Sequence, residues 1–128
     1  MPRHVPWLLP LVAALGCAGR LGPATEAFEH ARYPEARRAL QRLEPELAEM
    51  SPVELARYSL QRGLTELALG NAREAHRWLG AARRVAAYHP ETLSARERER
   101  LGAAWSSLGL MPGEEAPPEA APREAAPR

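Results

Sequence analysis

Ala75, Trp78, Leu79, Ala82, Val85 and Ala86 follow one another at intervals of three and four, with charged and polar residues between them. Residues so spaced fall on one side of an α-helix and give it an apolar face to pack inward. A shorter series, Ala36, Leu40 and Leu43, starts behind Tyr33-Pro34-Glu35, where proline suits the first turn of a helix. Ser51-Pro52-Val53-Glu54 reads as a capping box with proline at the first helical position, and Asn71 with Glu74 repeats the arrangement. Gly70 stands just before that second start and ends the preceding helix in a left-handed conformation. No window alternates polar and apolar residues as a strand does, so the pattern predicts an all-α fold.

The pattern also repeats. Displaced by thirty-nine residues the chain overlays itself: Ala24, Gly63 and Gly102 fall in register, as do Ala31, Gly70 and Gly109. Glu35-Ala36 meets Glu74-Ala75, and Leu40 meets Leu79. A period of this length marks helical hairpins stacked in an array. Within a unit, a small residue such as Gly63 lets two helices approach, and Ala75 lets the second fold back on the first.

The stretch RGLTELALGNAREAHRWLGAA, residues 62–82, resembles a tetratricopeptide repeat, with Gly63, Gly70, Ala75, Leu79 and Ala82 at its small and apolar positions. Pro34 to Leu43 resembles the second half of an earlier repeat, and Leu101-Gly102, Trp105 and Gly109 the first half of a later one. The period exceeds the family's usual 34 residues or so, which implies longer helices or turns, and Gly22-Pro23 cuts the first helix short. The resemblance implies an array of about five helices, with a concave groove lined by the first helix of each pair and used to hold a peptide or partner domain. It turns Arg57, Leu60, Leu64 and Leu67 of one first helix, and Arg96, Glu99 and Ala103 of the next, toward that groove. Leucines mixed with arginine suit an extended peptide or helix carrying apolar anchors and an acidic group. A competing reading places Leu64 and Leu67 in the core.

Both ends differ from this middle. Arg3 and His4 precede an apolar run from Val5 to Leu15, the grammar of a secretory signal, and the run is shorter than the 20 or so residues that span a bilayer. Ala13-Ala14-Leu15-Gly16-Cys17 resembles the bacterial lipobox, although Ala14 stands where leucine is commonest. The resemblance implies a leader of residues 1–16, acylation of Cys17, and a tether over 17–22. An ordinary signal peptide cleaved near Ala18 is the alternative. Ala18 is not the aspartate that retains many lipoproteins at the inner membrane, so the expected location is the outer membrane, facing the periplasm. The folded part is expected over 23–110. From Met111 the chain reads MPGEEAPPEAAPREAAPR, where prolines forbid a continuous helix and the apolar content is mostly alanine, so residues 111–128 are expected to be a disordered tail.

Charge and chemistry narrow the function. The whole chain has 17 basic residues, all arginine, against 16 acidic ones, and loss of Arg3 with the leader balances them. No basic face for nucleic acid is implied. His30, His76 and His89 stand at no common metal spacing, and no serine sits in a glycine-flanked nucleophile turn. The expectation is therefore a protein that is not an enzyme and uses no metal, cofactor or small-molecule substrate. The alternating charges of ARERERL, residues 95–101, read as the solvated face of a helix that caps the array. The expected role is a membrane-tethered scaffold for protein–protein contacts in the cell envelope, in assembly of an outer-membrane, secretion, pilus or motility complex. A regulatory subunit of a periplasmic cell-wall enzyme, or a soluble periplasmic interaction protein, are the alternatives. If Cys17 carries the anchor, Cys17→Ser leaves an unprocessed precursor that takes up no labelled fatty acid; equal labelling of variant and wild type excludes the anchor.

Overall fold

The computed structural model describes residues 19–109; the leader, Cys17 and the tail of 111–128 lie outside them. The described part is all-α. Helix α1 (Gly22–Glu29) and α2 (Tyr33–Leu43) form a first hairpin, followed by a 3-10 segment, Glu44–Glu49. Helix α3 (Pro52–Ala68) and α4 (Ala72–Tyr88) form a longer second hairpin, and a short 3-10 turn, Pro90–Thr92, leads into α5 (Ala95–Leu108). The short α1 and the long second hairpin agree with the early Gly22-Pro23 and the extended period.

The thirty-nine-residue register reappears in the backbone. Ala31 and Gly70 both adopt left-handed φ, 57° and 75°. Around them the hydrogen bonds match one for one. In the first turn the Ala31 N–H donates to the Phe28 carbonyl at 2.9 Å and the Arg32 N–H to that of Ala27 at 2.8 Å. In the second, Gly70 donates to Leu67 at 3.0 Å and Asn71 to Glu66 at 2.8 Å. Both turns therefore close the helix end with the same Schellman pattern, and the alanine accepts a conformation that disfavours side chains by about 1–2 kcal/mol. At the third equivalent position the chain does something else: Gly109 has φ −68° and α5 ends in right-handed geometry.

Helix starts correct the cap assignments. Ser51 accepts from the Glu54 N–H at 3.2 Å, which makes a one-sided cap and not the reciprocal box. Asn71 makes no cap bond; its amide Nδ2 donates to Glu66 Oε2 at 3.0 Å. The full box sits at Ser94 and Glu97, with bonds of 3.0 and 3.1 Å.

Two apolar clusters share α3 and α4. Tyr58 and Trp78 join Ala24, Ala39 and Leu40 of the first hairpin, their rings edge-to-face at 5.4 Å. Next to them on the same two helices, Leu60, Leu79 and Ala82 join Leu93, Leu101 and Ala104. Ala75, Leu79 and Ala82 are fully buried. A methyl group added at Gly63 would lie 2.5 Å from the Leu79 side chain and 3.0 Å from its backbone nitrogen, whereas one added at the equivalent Gly102 meets nothing within 4 Å. Glycine is thus required for the α3–α4 approach but not on α5.

The paired substitutions have opposite signs. Alanine is favoured over glycine within a helix by about 1 kcal/mol, and overpacking a core costs about 1–3 kcal/mol. Gly63→Ala is expected to lower the thermal midpoint and Gly102→Ala to raise it slightly, as read by circular dichroism.

Candidate binding groove

The first helices α1, α3 and α5 lie on one side of the array and enclose an open cavity of about 530 Å³. Its floor is apolar: Leu21 before α1, Met50 before α3, and Val53, Leu60 and Leu64 along one face of α3. These α3 residues share a face because they recur at helical spacing with Arg57 and Gln61. Charged groups stand around the floor. Arg20 Nε lies 3.5 Å from Glu54 Oε2, and its Nη1 lies 3.8 Å from Glu46, so the entering chain is tied to α3 and to the end of the first hairpin. Arg57 Nε lies 3.4 Å from Glu97 Oε2 and ties α3 to α5. Such half-exposed pairs contribute only about 0–1 kcal/mol each, but they fix which charges remain open.

Two groups in the wall are left over. Arg100 has no carboxylate in ion-pair contact among the described residues; its guanidinium lies over the Phe28 ring, 5.8 Å from the centroid. Gln61 Nε2 is buried and finds no acceptor. An apolar floor beside an exposed cation can seat an apolar side chain next to a carboxylate.

Of the residues expected in the groove, Arg57, Leu60 and Leu64 line the cavity. Leu60 is at the same time core, and Leu64 and Leu67 pack against that core, Leu67 outside the cavity wall. Arg96, Glu99 and Ala103 also lie outside it, exposed on α5, while Glu97 and Arg100 face inward. The reason is positional. Arg57, Leu60 and Leu64 look from α3 toward the following helix α5; their equivalents on α5 look toward a following hairpin that the described residues do not contain. The α5 residues that look back at α3 are those one position later, and Glu97 and Arg100 are among them.

Beneath the groove lies a polar cluster the sequence pattern did not single out. Arg62 is 4% exposed and Glu66 0%, one helical turn apart. Arg62 Nε donates to Glu66 Oε1 at 3.2 Å, and Nη1 to Glu44 Oε1 at 2.8 Å and to the Tyr58 hydroxyl at 3.2 Å. Tyr58 donates in turn to the Leu40 carbonyl at 2.9 Å. Arg37 of α2 brings Nε to 3.1 Å from Glu66 Oε1, too poorly aligned for a hydrogen bond, so that contact is ionic. The Arg62 guanidinium also lies over Trp78, 5.3 Å from the ring centroid. An i,i+4 Arg–Glu pair ordinarily marks a solvated face, and only the docking of α2 on α3 buries this one.

No group of three or more metal-ligating side chains occurs among the described residues, and His30, His76 and His89 are exposed. Burial pushes the Tyr58 phenol above its usual value near 10, against the opposing pull of Arg62. For Arg62, burial alone would lower the guanidinium, but bonds to Tyr58, Glu44 and Glu66 hold it above its ordinary range. Because the folded phenol titrates above the unfolded one, its contribution is whole below about pH 10 and is lost as the pH rises through the folded value. Tyr58→Phe removes two hydrogen bonds, about 1–3 kcal/mol at neutral pH, and also removes that alkaline loss. Urea unfolding at pH 8 and pH 11 is expected to show a smaller pH effect in the variant than in the wild type.

Comparison of the chain with models of protein families, with curated proteins and with solved structures finds no match. Any functional reading must therefore come from the geometry of the groove and from the chain's own repeats.

Proposed function

We propose that this protein is a tetratricopeptide-like scaffold lipoprotein of the bacterial cell envelope, anchored through Cys17, whose first-helix side holds a peptide or helix of a partner protein. The observation that carries the reading is the groove: an apolar floor from α3, bounded by paired charges that leave Arg100 for a ligand. The occupant would insert one apolar side chain over Leu60 and Leu64 and set a carboxylate beside Arg100. A cavity of about 530 Å³ takes a side chain or two with their backbone, a contact suited to an anchor motif within a longer partner.

The matching turns at Ala31 and Gly70 support stacked hairpins of one repeat type, and the resemblance supplies the use of such a side for binding. The small size of the array supports a role as an adaptor within a larger envelope assembly, as in outer-membrane insertion, secretion, or pilus or motility machinery. None of the described helices is long and apolar enough to cross a membrane, so attachment to one rests on the proposed acyl group.

Arg57→Glu combined with Arg100→Glu reverses two charges at the groove without removing a core side chain, since both side chains stand exposed. The expected outcome is loss of the partner that crosslinks to wild-type protein in native membranes, with the helical signal kept and a thermal midpoint lowered by no more than about 8 °C, as for two surface substitutions of about 0.5 kcal/mol each. A folded double variant that keeps the same partner moves the interface to the second helices or the tail.

A further inference from the structure

The helices alternate in direction, so the starts of α1, α3 and α5 and the ends of α2 and α4 gather at one pole. The register of the second hairpin shows this residue by residue. Gly63 packs on Leu79, and counting outward from that contact along the two helices brings Val53 level with His89 and Glu54 level with Tyr88. Among the described residues, Tyr88 (83%) and Val53 (37%) are the large apolar side chains left exposed, and both are at this pole. Pro52, Ala87 and Pro90 are exposed there too. An isolated apolar side chain on a surface means little by itself. The position of the entering chain gives these two a meaning.

Gly19 and Arg20 line the mouth of the cavity beside Val53, so the chain enters the fold at this same pole. Arg20 is held by Glu46 and Glu54, Leu21 packs on the first-hairpin cluster, and α1 begins at Gly22. Cys17 precedes Gly19 by two residues, a reach of at most about 7 Å. An acyl anchor on Cys17 would hold this pole, and no other, against the lipid.

We propose that the pole is a membrane-contact surface, with Tyr88 and Val53 resting in the headgroup region of a phospholipid bilayer and the groove mouth opening beside it. The proposal rests on acylation of Cys17. Tyrosine suits that depth because its ring is apolar and its hydroxyl remains hydrated. One tyrosine and one valine would not recruit a free domain to a membrane. Tethering makes the contact intramolecular, so a weak preference is enough to set orientation. The partner would then bind at the membrane surface, as the extramembrane segment of a membrane protein does.

The test uses the full chain, purified as the acylated form and reconstituted in phosphatidylcholine vesicles. Acylation consumes the Cys17 thiol, the only one in the chain, so Ala87→Cys and Ala68→Cys each carry one environment-sensitive fluorophore. Ala87 adjoins Tyr88, and Ala68 ends α3 at the opposite pole. Iodide is expected to quench the label at 87 several-fold less than that at 68, and nitroxide-bearing lipid to quench only the label at 87. Adding Tyr88→Ser should expose the label at 87 to iodide. Equal quenching at both positions in acylated protein overturns the orientation while leaving the anchor in place. Shielding from iodide without quenching by lipid overturns it in favour of a protein cover such as a second copy, and an unaltered label on adding Tyr88→Ser overturns the part given to that residue. A chain that takes up no fatty acid overturns anchor and orientation together.

Discussion

Arg62 and Glu66 are out of water between two helical hairpins, and neither could be there without the other. Removing a charge from water costs several kcal/mol, recovered only where a partner of opposite charge and good hydrogen bonds wait inside. Here they come from both sides: Arg37 from α2 and Glu44 from the 3-10 segment behind it, Tyr58 from the same helix, Asn71 from the next turn. The cluster therefore forms only when α2 lies on α3 at one offset. Apolar contacts among Ala24, Leu40, Tyr58 and Trp78 drive the two hairpins together. The charged cluster favours the offset at which Arg37 and Glu44 reach Glu66 and Arg62.

The elements were largely legible in the sequence because they rest on local rules. Three-and-four spacing, Pro34 and Pro52 at helix starts, and the Ala31/Gly70 register each report on a few consecutive residues, and each has its counterpart in the structure. Legibility failed where a side chain had two uses. Asn71 has the right type for a helix cap, but its Nδ2 donates to the buried Glu66 carboxylate and its side-chain oxygen caps nothing. Arg62 and Glu66 look like a surface pair because a pattern along one helix does not say what lies over it. The Glu44–Glu49 segment, with Pro45 inside it, had no periodicity to reveal it, yet it carries the carboxylate that completes the cluster.

The groove shows a related limit of repeat reasoning. Transferring positions from α3 to α5 by thirty-nine residues preserves register but not surroundings. An inner helix of an array has a neighbour before and a neighbour behind; among the described residues α5 has only the one before. Residues that face forward on α3 bury leucines, and their α5 equivalents are Arg96, Glu99 and Ala103, two of them charged. That composition suits an end of the stack, where a polar outer face keeps a terminal helix in water. Gly102 fits the same account: the glycine persists in register, but among the described residues no helix approaches it.

The groove and the entry of the chain are not independent features. Arg20 serves both, since its pairs with Glu46 and Glu54 form part of the cavity mouth and also fasten the last residues before α1 to the domain. Were Cys17 acylated as proposed, the anchor would stand three residues before Arg20, and the pairs of Arg20 would limit how the domain turns about it. Under that proposal position and direction would be set together, and a partner would approach the groove along the membrane surface. A half-exposed ion pair of modest energy can govern this because it need not hold the fold together; it only has to choose among orientations that differ by a few tenths of a kcal/mol.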